Sequence, residues 1–448
     1  MQTRLAFEYI LTPKGMQRDQ ALVVDAAGRI ERIEPRGGGP CDGFLAIPGM
    51  PNAHSHAFQR ALAGYGEVAG ATGGSEDSFW SWREAMYRLA NRISPEEMFI
   101  IAREAFWDML RGGFTSVAEF HYLHHMPDGR PGAQMGRAVA AAAKETGIRM
   151  RFLPVYYQAG GFGKPARDEQ RRFIHGSVED FCALLEELHD VELGLAPHSL
   201  RAVPAEALSA LVDATAKYMA ADAPIHIHIS EQRREVEECQ ELYKTTPVEL
   251  LAKSVKLGPR WNLVHATHAT TAECDSIRAA GSTVVICPIT EAYLGDGLFT
   301  ADDFVSAGGR IAIGSDSNCR IDAIEELRLL EYGQRLRKER RARLATRAGL
   351  GMPLWTAACR GGAMALGHAS GAIQAGCFAD LVVVQRDAAA LRGHDVDTLM
   401  DALIIGGSRA DIGDVYVGGE RRAHAGVCHG QEESARAFND AVKRLNEI

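Results

Sequence analysis

The chain has 448 residues, of which 46% are hydrophobic and 24% are charged, so it can bury a large core and is expected to fold as a globular protein. Its formal net charge of −9 and its lack of a long basic run argue against binding to nucleic acid or to an anionic membrane. Nine scattered cysteines without a CxxC pair indicate reduced thiols, and neither a signal peptide nor a membrane-spanning apolar run is evident, which predicts a cytoplasmic protein.

Three kinds of segment follow one another along the chain. Residues 1–44 are predicted to form short strands and turns, residues 370–430 repeat that character, and residues 431–448 form an amphipathic helix that packs on the body of the protein. Between them, residues 45–369 alternate helix-like stretches with eight short strand-like runs: "LAIPGMPNAHSH", "FTSVAEFHY", "RMRFLPVYY", "VELGLAPHS", "PIHIHIS", "WNLVHATH", "TVVICPIT" and "RIAIGSDS".

This alternation indicates the fold class. Eight strand–helix units predict an α/β protein with a (β/α)8 TIM-like barrel, and the alternative is an open doubly wound sheet. The two strand-rich flanks predict one small β domain formed from both chain ends. In a (β/α)8 barrel, functional residues gather at the carboxyl ends of the strands, so the polar residues at these positions are the candidates for a site.

Several of the predicted strands end in residues that bind metals. His54 and His56 point to the same side of the first strand because side chains alternate with a period of two, although such a pair also occurs on solvated strands. His228 ends the fifth strand and Asp316 follows the eighth. Three imidazoles and one carboxylate suit zinc or ferrous iron and leave a position for water. Glu231 is either a helix-capping carboxylate or a proton shuttle beside such a metal.

The other histidines receive separate interpretations. His226 shares the face of His228 one step deeper and is expected to be packed and hydrogen-bonded, and His268 stays unassigned. Eight more are expected at the surface or in capping positions, since they lie in helices or loops without ligand spacing: His124, His125, His175, His189, His368, His394, His424 and His429.

The strand-end motifs together resemble the amidohydrolase superfamily. The similarity runs from residue 47 to 384 and includes "IPGMPNAHSH", "HIHISE", "LVHA", "ICP", "IGSDS" and the closing "GAIQAGCFADLVVV". The resemblance implies a distorted (β/α)8 barrel with a small β-sandwich domain made from both chain ends. Because the fourth strand contains no lysine, it implies one divalent metal, as in the mononuclear deaminase branch, with zinc expected first and iron as the alternative.

Roles for individual residues also come from this resemblance. It makes His54, His56, His228 and Asp316 the metal ligands, Asp316 additionally the acceptor of a water proton, Glu231 the proton shuttle and His265 a catalytic residue. It also implies a homodimer.

The segment after the seventh strand narrows the substrate class. Members that act on purines, pyrimidines or triazines mostly carry "CPxSN", whereas this chain has "CPITEAYLGDG". Together with "AHSHAFQRALAG" and "SFWSWREAMYRL", this segment resembles the branch that hydrolyses N-formimino-L-glutamate to N-formyl-L-glutamate and ammonia in histidine degradation. The implied contacts to this dicarboxylate substrate are Gln59, near the formimino group, and Arg83, Tyr122, His198 and Arg201, near the carboxylates.

Other functions stay open at this point. Formimino-aspartate, a guanidino acid or an aromatic amine such as guanine are alternative substrates. A barrel that has lost its metal and acts as an interaction protein is the alternative outside enzymes.

Overall fold

The structure of the chain is a computed structural model that describes residues 3–65, 67 and 79–447. Both chain ends contribute to one sheet, whose strands lie in the order β16-β15-β14-β13-β4-β1-β2-β3. These strands are β1 Thr3–Thr12, β2 Gly15–Val24, β3 Ile30–Pro35, β4 Gly43–Pro48, β13 Leu381–Val384, β14 Ile412–Val417, β15 Glu420–His424 and β16 Val427–Cys428. The two chain ends meet where β4 and β13 pair antiparallel, with Leu381 opposite Pro48.

Eight further strands correspond to the eight predicted runs. They are β5 Met50–Ser55, β6 Phe114–His121, β7 Arg149–Tyr156, β8 Ala196–Pro197, β9 Ile225–Ile229, β10 Trp261–His265, β11 Thr283–Ile286 and β12 Arg310–Ile313. Neighbouring strands are parallel within two four-stranded sheets, β5-β6-β7-β8 and β12-β11-β10-β9. Parallel bridges between Ser55 and Asp316 and between Leu195 and Ile225 connect the edges of these sheets. The carboxyl ends of β5, β9, β10 and β12 therefore lie near one another.

Helices connect the strands and cover the parallel sheets. Their bounds are α1 Phe79–Ala90, α2 Pro95–Arg111, α3 Gln134–Thr146, α4 Val178–Glu187, α5 Leu208–Thr215, α6 Arg233–Tyr243, α7 Pro247–Ser254, α8 Thr271–Ala280, α9 Pro288–Leu294, α10 Ala301–Ser306, α11 Ala323–Lys338, α12 Gly351–Leu366, α13 Leu399–Gly406 and α14 Gln431–Asn446.

Local signals account for helix starts such as that of α2. Ser94 and Glu97 form a capping box at its first turn, in which each side chain accepts the other residue's backbone N–H. The C-terminal helix α14 packs near this point, where Arg444 pairs with Glu97 at 2.9 Å.

The main core lies between the parallel strands and these helices. Every residue of β5, β6 and β9 is buried, as expected for strands covered on both faces. Buried polar side chains in such an interior are costly unless they are paired or bind an ion. None of the described helices is both long enough and apolar enough to cross a bilayer.

Candidate active site

Four predicted ligands converge at the carboxyl ends of β5, β9 and β12. The Nε2 atom of His54 lies 3.2 Å from Nε2 of His56 and 3.0 Å from Nε2 of His228. Oδ1 of Asp316 lies 3.5 Å from Nε2 of His54 and 3.3 Å from Nε2 of His56. All four side chains are buried. Within the described residues, the geometry defines two candidate metal-binding groups, of which His54–His56–His228 lies wholly in this cluster and His54–His265–Asp316 shares two residues with it.

The direction of the imidazole rings fits a bound cation. Nδ1 of His56 lies 2.8 Å from the carbonyl oxygen of Phe120, and Nδ1 of His228 lies 3.0 Å from that of His198. Because a carbonyl only accepts hydrogen bonds, each Nδ1 carries the proton and each Nε2 presents a lone pair to the centre of the cluster. Burial lowers the pKa of both rings, which keeps them neutral. Lone pairs that converge at such distances repel one another unless a cation lies between them.

Asp316 supplies the negative charge of the cluster. Burial raises the pKa of its carboxyl group, but the contacts with His54, His265 and His56 outweigh burial and hold the pKa well below its usual value. Burial lowers the pKa of His54 to about 3. The cluster therefore consists of neutral imidazoles and one ionised carboxylate, which is a donor set suited to zinc or ferrous iron.

A polar clasp between the ends of β5 and β12 holds Asp316 in place, and it consists of Asn52, Ser55, Ser315 and Asn318. Asn52 donates to Oγ of Ser315 at 2.6 Å, Ser315 donates to Asn318 at 2.6 Å, and Asn318 donates to Oγ of Ser55 at 3.1 Å. Asp316 has φ = 47° and Asn318 has φ = 56°, which are left-handed conformations that non-glycine residues adopt at a cost. Backbone strain is thus concentrated where the carboxylate is aimed at the histidines.

Gly314 makes room for the cluster. A Cβ atom at this position would lie 2.7 Å from Cβ of His54 and 2.9 Å from Sγ of Cys287. Cβ atoms in proteins do not approach other atoms so closely, so any other residue at position 314 would displace His54.

Glu231 and His265 lie beside the cluster. Oε1 of Glu231 is 3.9 Å from Nε2 of His265, and Oδ2 of Asp316 is 3.7 Å from the same nitrogen. Glu231 does not serve as the cap of α6, which begins at Arg233; its carboxylate instead accepts a hydrogen bond from Arg201 at 2.9 Å. Burial lowers the pKa of His265, but the carboxylates around it outweigh burial and raise the pKa to about 10.

Every predicted substrate contact lines one cavity that opens onto the cluster. We call it the central cavity, and its lining residues are His56, Gln59, Phe79, Trp82, Arg83, Met86, Tyr87, Tyr122, Tyr157, Phe173, His198, Arg201, His228, Glu231, His265, Leu294 and Asp316. The structure therefore brings the predicted catalytic, metal-binding and substrate-binding residues together around one space.

Hydrogen bonds orient the polar side chains of this wall. Gln59, in a 3-10 turn after β5, donates to the hydroxyl oxygen of Tyr122 at 2.7 Å. Arg83, on α1, donates to the hydroxyl oxygen of Tyr157 at 3.0 Å. Arg201 is buried, and its charge is balanced by Glu231 and by Glu235, whose Oε2 lies 3.8 Å from Nε of Arg201. The cavity wall thus contains two guanidinium groups in addition to the residues of the histidine cluster.

Several cavity residues were not among the predictions. Tyr157 directly follows β7, so its position at a strand end is a signal that could have identified it. Trp82 and Tyr87 lie on the same helix as Arg83. Phe173 lies in a loop and has no comparable signal. Arg60 points elsewhere and pairs with Asp108 at 3.0 Å.

The surface prediction is wrong for four histidines. His124, His125 and His175 are buried, and their rings contact one another at centroid distances of 5.0 and 5.2 Å. The loops that carry them fold inward, where the carbonyl oxygens of Val155 and Ile174 bind His124 and His125. His189, His394, His424 and His429 are exposed as predicted, whereas the side chain of His368 is also buried, with Nε2 at 3.4 Å from Glu192. His226 is buried and bonded to the carbonyl oxygen of Ala365, as predicted, and His268 is half-buried.

The sequence matches the amidohydrolase family over residues 45–421. The chain therefore belongs to the amidohydrolase family, as its motifs predicted. Among characterised proteins, it is 43% identical to a formimidoylglutamate deiminase of Pseudomonas aeruginosa, an alignment that covers 98% of this chain and 98% of that protein. An 8-oxoguanine deaminase of the same organism is 28% identical and aligns over 95% of this chain and 94% of its own length.

Solved structures show the same fold. An amidohydrolase from Brucella melitensis matches with a TM-score of 0.92 and 39% identity, covering 99% of this chain and 100% of that chain. An adenosine deaminase from Xanthomonas campestris with bound zinc matches with a TM-score of 0.80 and 23% identity, covering 99% of this chain and 98% of that chain. At that identity, the second likeness concerns the fold alone.

Proposed function

We propose that the chain is a metal-dependent hydrolase that converts N-formimino-L-glutamate and water to N-formyl-L-glutamate and ammonia, as a step of histidine degradation. The observation that carries this proposal is the composition of the central cavity, which joins a histidine–aspartate cluster to two guanidinium groups. The alignment with the formimidoylglutamate deiminase, which spans nearly the whole of both chains, supports the same substrate.

The cavity suits a substrate with two carboxylates. Arg83 and Arg201 bring two guanidinium groups into the wall of the cavity, the second of them paired with Glu231, and guanidinium binds carboxylate through paired hydrogen bonds. Tyr122 and His198 lie next to each other, with ring centroids 5.6 Å apart, and complete the carboxylate contacts. Gln59 faces the formimino group, for which its amide offers both a donor and an acceptor.

A single divalent metal, zinc or iron, would be held by His54, His56, His228 and Asp316. The run "VELGLAPHS" at β8 contains no lysine that could bridge a second metal after carboxylation. When bound, such a cation supplies the Lewis acidity that makes water a nucleophile near neutral pH.

The residues of the chain move the protons of this reaction. The water oxygen bonds to the formimino carbon, and the electron pair of the C=N double bond moves to the terminal nitrogen. Asp316 accepts a proton from the water, and His265, whose Nε2 faces both carboxylates, stabilises the oxygen as charge develops on it. Glu231 delivers to the terminal nitrogen first the proton that Asp316 took from the water and then the proton of the remaining hydroxyl group, whose oxygen forms the formyl carbonyl as the C–N bond breaks and ammonia leaves.

The same proposal extends to the architecture and the setting of the enzyme. The parallel strands β5–β12 form a distorted (β/α)8 barrel within residues 45–369, and residues 1–44 with 370–430 form the β-sandwich domain, followed by a C-terminal helix within 431–448. The bridges between the two parallel sheets support the barrel, and the pairing of β4 with β13 supports a domain made from both chain ends, whose sheet extends to Pro48. The enzyme acts as a homodimer in the cytoplasm, without nucleic acid or membrane partners.

A substrate panel tests the proposed reaction. The zinc-loaded protein is incubated with N-formimino-L-glutamate, N-formimino-L-aspartate, a guanidino acid and guanine, and ammonia release is measured. We expect the highest kcat/KM with N-formimino-L-glutamate. Glu231→Gln is expected to abolish release, whereas the exposed Glu206→Gln serves as the matched control. A preference for the aromatic ring would refute the substrate assignment, and an absence of stoichiometric metal with no turnover would favour an interaction protein.

A further inference from the structure

His265 is held between carboxylates on both sides of its ring. Its Nδ1 lies 3.2 Å from Oε1 of Glu291, while its Nε2 faces Glu231 and Asp316 at 3.9 and 3.7 Å. His265 is 1% exposed and Glu291 is 3% exposed. The reaction proposed above uses Nε2 of this ring and gives Glu291 no role.

We propose that Glu291 is the positioning residue of His265. Its carboxylate accepts the Nδ1–H bond and thereby fixes both the direction of the ring and the nitrogen that faces the reaction. A carboxylate only accepts hydrogen bonds, so it favours the form of the ring that is protonated at Nδ1. A carboxylate behind an imidazole orients the ring in the same way in other catalytic arrangements. This inference rests on the role proposed for His265.

Glu291 is itself held firmly enough for this task. Its Oε1 also accepts the backbone N–H of Cys287 at 2.9 Å, which fixes the carboxylate at the start of α9. The preceding residue, Thr290, lies 3.0 Å from Oγ of Ser317 and donates to the carbonyl oxygen of Ser315 at 3.3 Å. One turn of α9 therefore contacts both the loop of Asp316 and the ring of His265.

The backbone at His265 explains why the ring needs such support. His265 has φ = 69° and the next residue, Ala266, has φ = 49°, so two consecutive non-glycine residues adopt left-handed conformations at the end of β10. Conformations of this kind persist where surrounding contacts determine them. The hydrogen bond that His265 donates to Glu291 is one such contact, and it acts directly on the side chain that the reaction uses.

A double-mutant cycle distinguishes positioning from general support. With N-formimino-L-glutamate, we expect Glu291→Ala to lower kcat about 10- to 100-fold, as is typical when an orienting partner is removed, with KM changed less than about twofold. In the His265→Ala background, Glu291→Ala should have no further effect, because the ring that it orients is gone. Glu291→Gln retains an acceptor oxygen for Nδ1–H and should recover part of the loss.

A matched control separates this effect from damage to α9. Glu326, on α11, is also buried and accepts the backbone N–H of Ile289, a residue of α9, at 2.9 Å. It does not contact His265. Glu326→Gln is expected to change kcat less than about twofold. If Glu291→Ala lowers kcat equally in the wild-type and His265→Ala backgrounds, the positioning role is refuted.

A spectroscopic arm provides a readout that does not depend on turnover. In zinc-loaded protein labelled with 15N-histidine, the ring signals absent from His265→Ala identify His265. They should indicate a hydrogen-bonded proton on Nδ1 in the wild-type protein, in addition to the Nε2 proton that faces the reaction, and loss of the Nδ1 hydrogen bond in Glu291→Ala. Unchanged signals would overturn the proposal. If wild-type protein releases no ammonia from N-formimino-L-glutamate, the proposed function fails while this arm still decides the role of Glu291.

Discussion

Arg83 offers the sharpest test of substrate recognition. Its replacement should lower activity on substrates that carry the carboxylate bound by Arg83 and should have little effect on substrates that lack it. Arg83 lies on α1 in the wall of the central cavity and donates to the hydroxyl oxygen of Tyr157 at 3.0 Å. Methionine keeps much of the length and apolar stem of arginine but removes its charge and donors. Arg83→Met should therefore weaken binding of one substrate carboxylate while leaving the histidine cluster intact.

The size of the loss follows from leaving a carboxylate without its partner. Removing one side of a buried, hydrogen-bonded charge pair costs about 2–5 kcal/mol, which corresponds to roughly 30- to 4,000-fold in kcat/KM. N-formimino-4-aminobutyrate lacks the α-carboxylate and N-formiminoglycine lacks the side-chain carboxylate. The variant should lose far less activity on whichever of these compounds lacks the carboxylate bound by Arg83.

The assay is steady-state ammonia release from the three compounds by wild-type and variant protein. Arg167→Met is the matched control, since its guanidinium pairs with Glu84 and its side chain is 47% exposed, so less than a twofold change is expected. Equal losses of Arg83→Met on all three compounds would refute the assignment of Arg83 to a carboxylate. Arg201 is less suited to this test because it also contacts Glu231.

Three further predictions concern the metal, the interior and the glycine beside the cluster. Chelation and dialysis should abolish turnover and lower thermal stability, and zinc or ferrous iron should restore both; unchanged turnover in metal-free protein would contradict the metal's role. Burial lowers the pKa of His121 and His175 to about 3, so the unfolded chain binds more protons than the folded chain below pH 6.5, and stability should fall as the pH decreases from there towards 3. Between pH 6.5 and 5, the free energy of unfolding of His175→Asn in urea should have a slope against pH that is smaller by about 1 kcal/mol per pH unit, because the unfolded histidine passes from half to full protonation in this range; an unchanged slope would show that this histidine is not the cause. Gly314→Ala should displace His54 and lower the zinc content measured by elemental analysis, whereas Gly258→Ala, where an added Cβ meets no atom within 4 Å, should retain zinc; full zinc content in both would contradict the steric argument.

The positions of the strands, and the polar residues at their carboxyl ends, could be predicted from the sequence. The eight predicted runs each contain a strand, because alternating or continuous apolar residues bounded by polar ones are a local signal. His54, His56, His228 and Asp316 were predictable because strand periodicity and position at a strand's carboxyl end decide where a side chain points. Resemblance to the family decided between the two roles open for Glu231 and added His265 and the five cavity contacts.

The tertiary structure alone decided which distant side chains touch. Arg201 pairs with Glu231, and His265 donates a hydrogen bond to Glu291. These residues lie in loops, at a strand end or at a helix start, and their relative positions depend on packing between separate segments. His175 was expected at the surface, yet its loop folds inward against other histidines. A local pattern of polar and apolar residues indicates the secondary structure of a segment, but it does not show which other segments pack against it. Burial and side-chain contacts depend on packing between segments that are distant in the sequence. That packing brings the strand-end residues together around a cavity with a defined charge and shape.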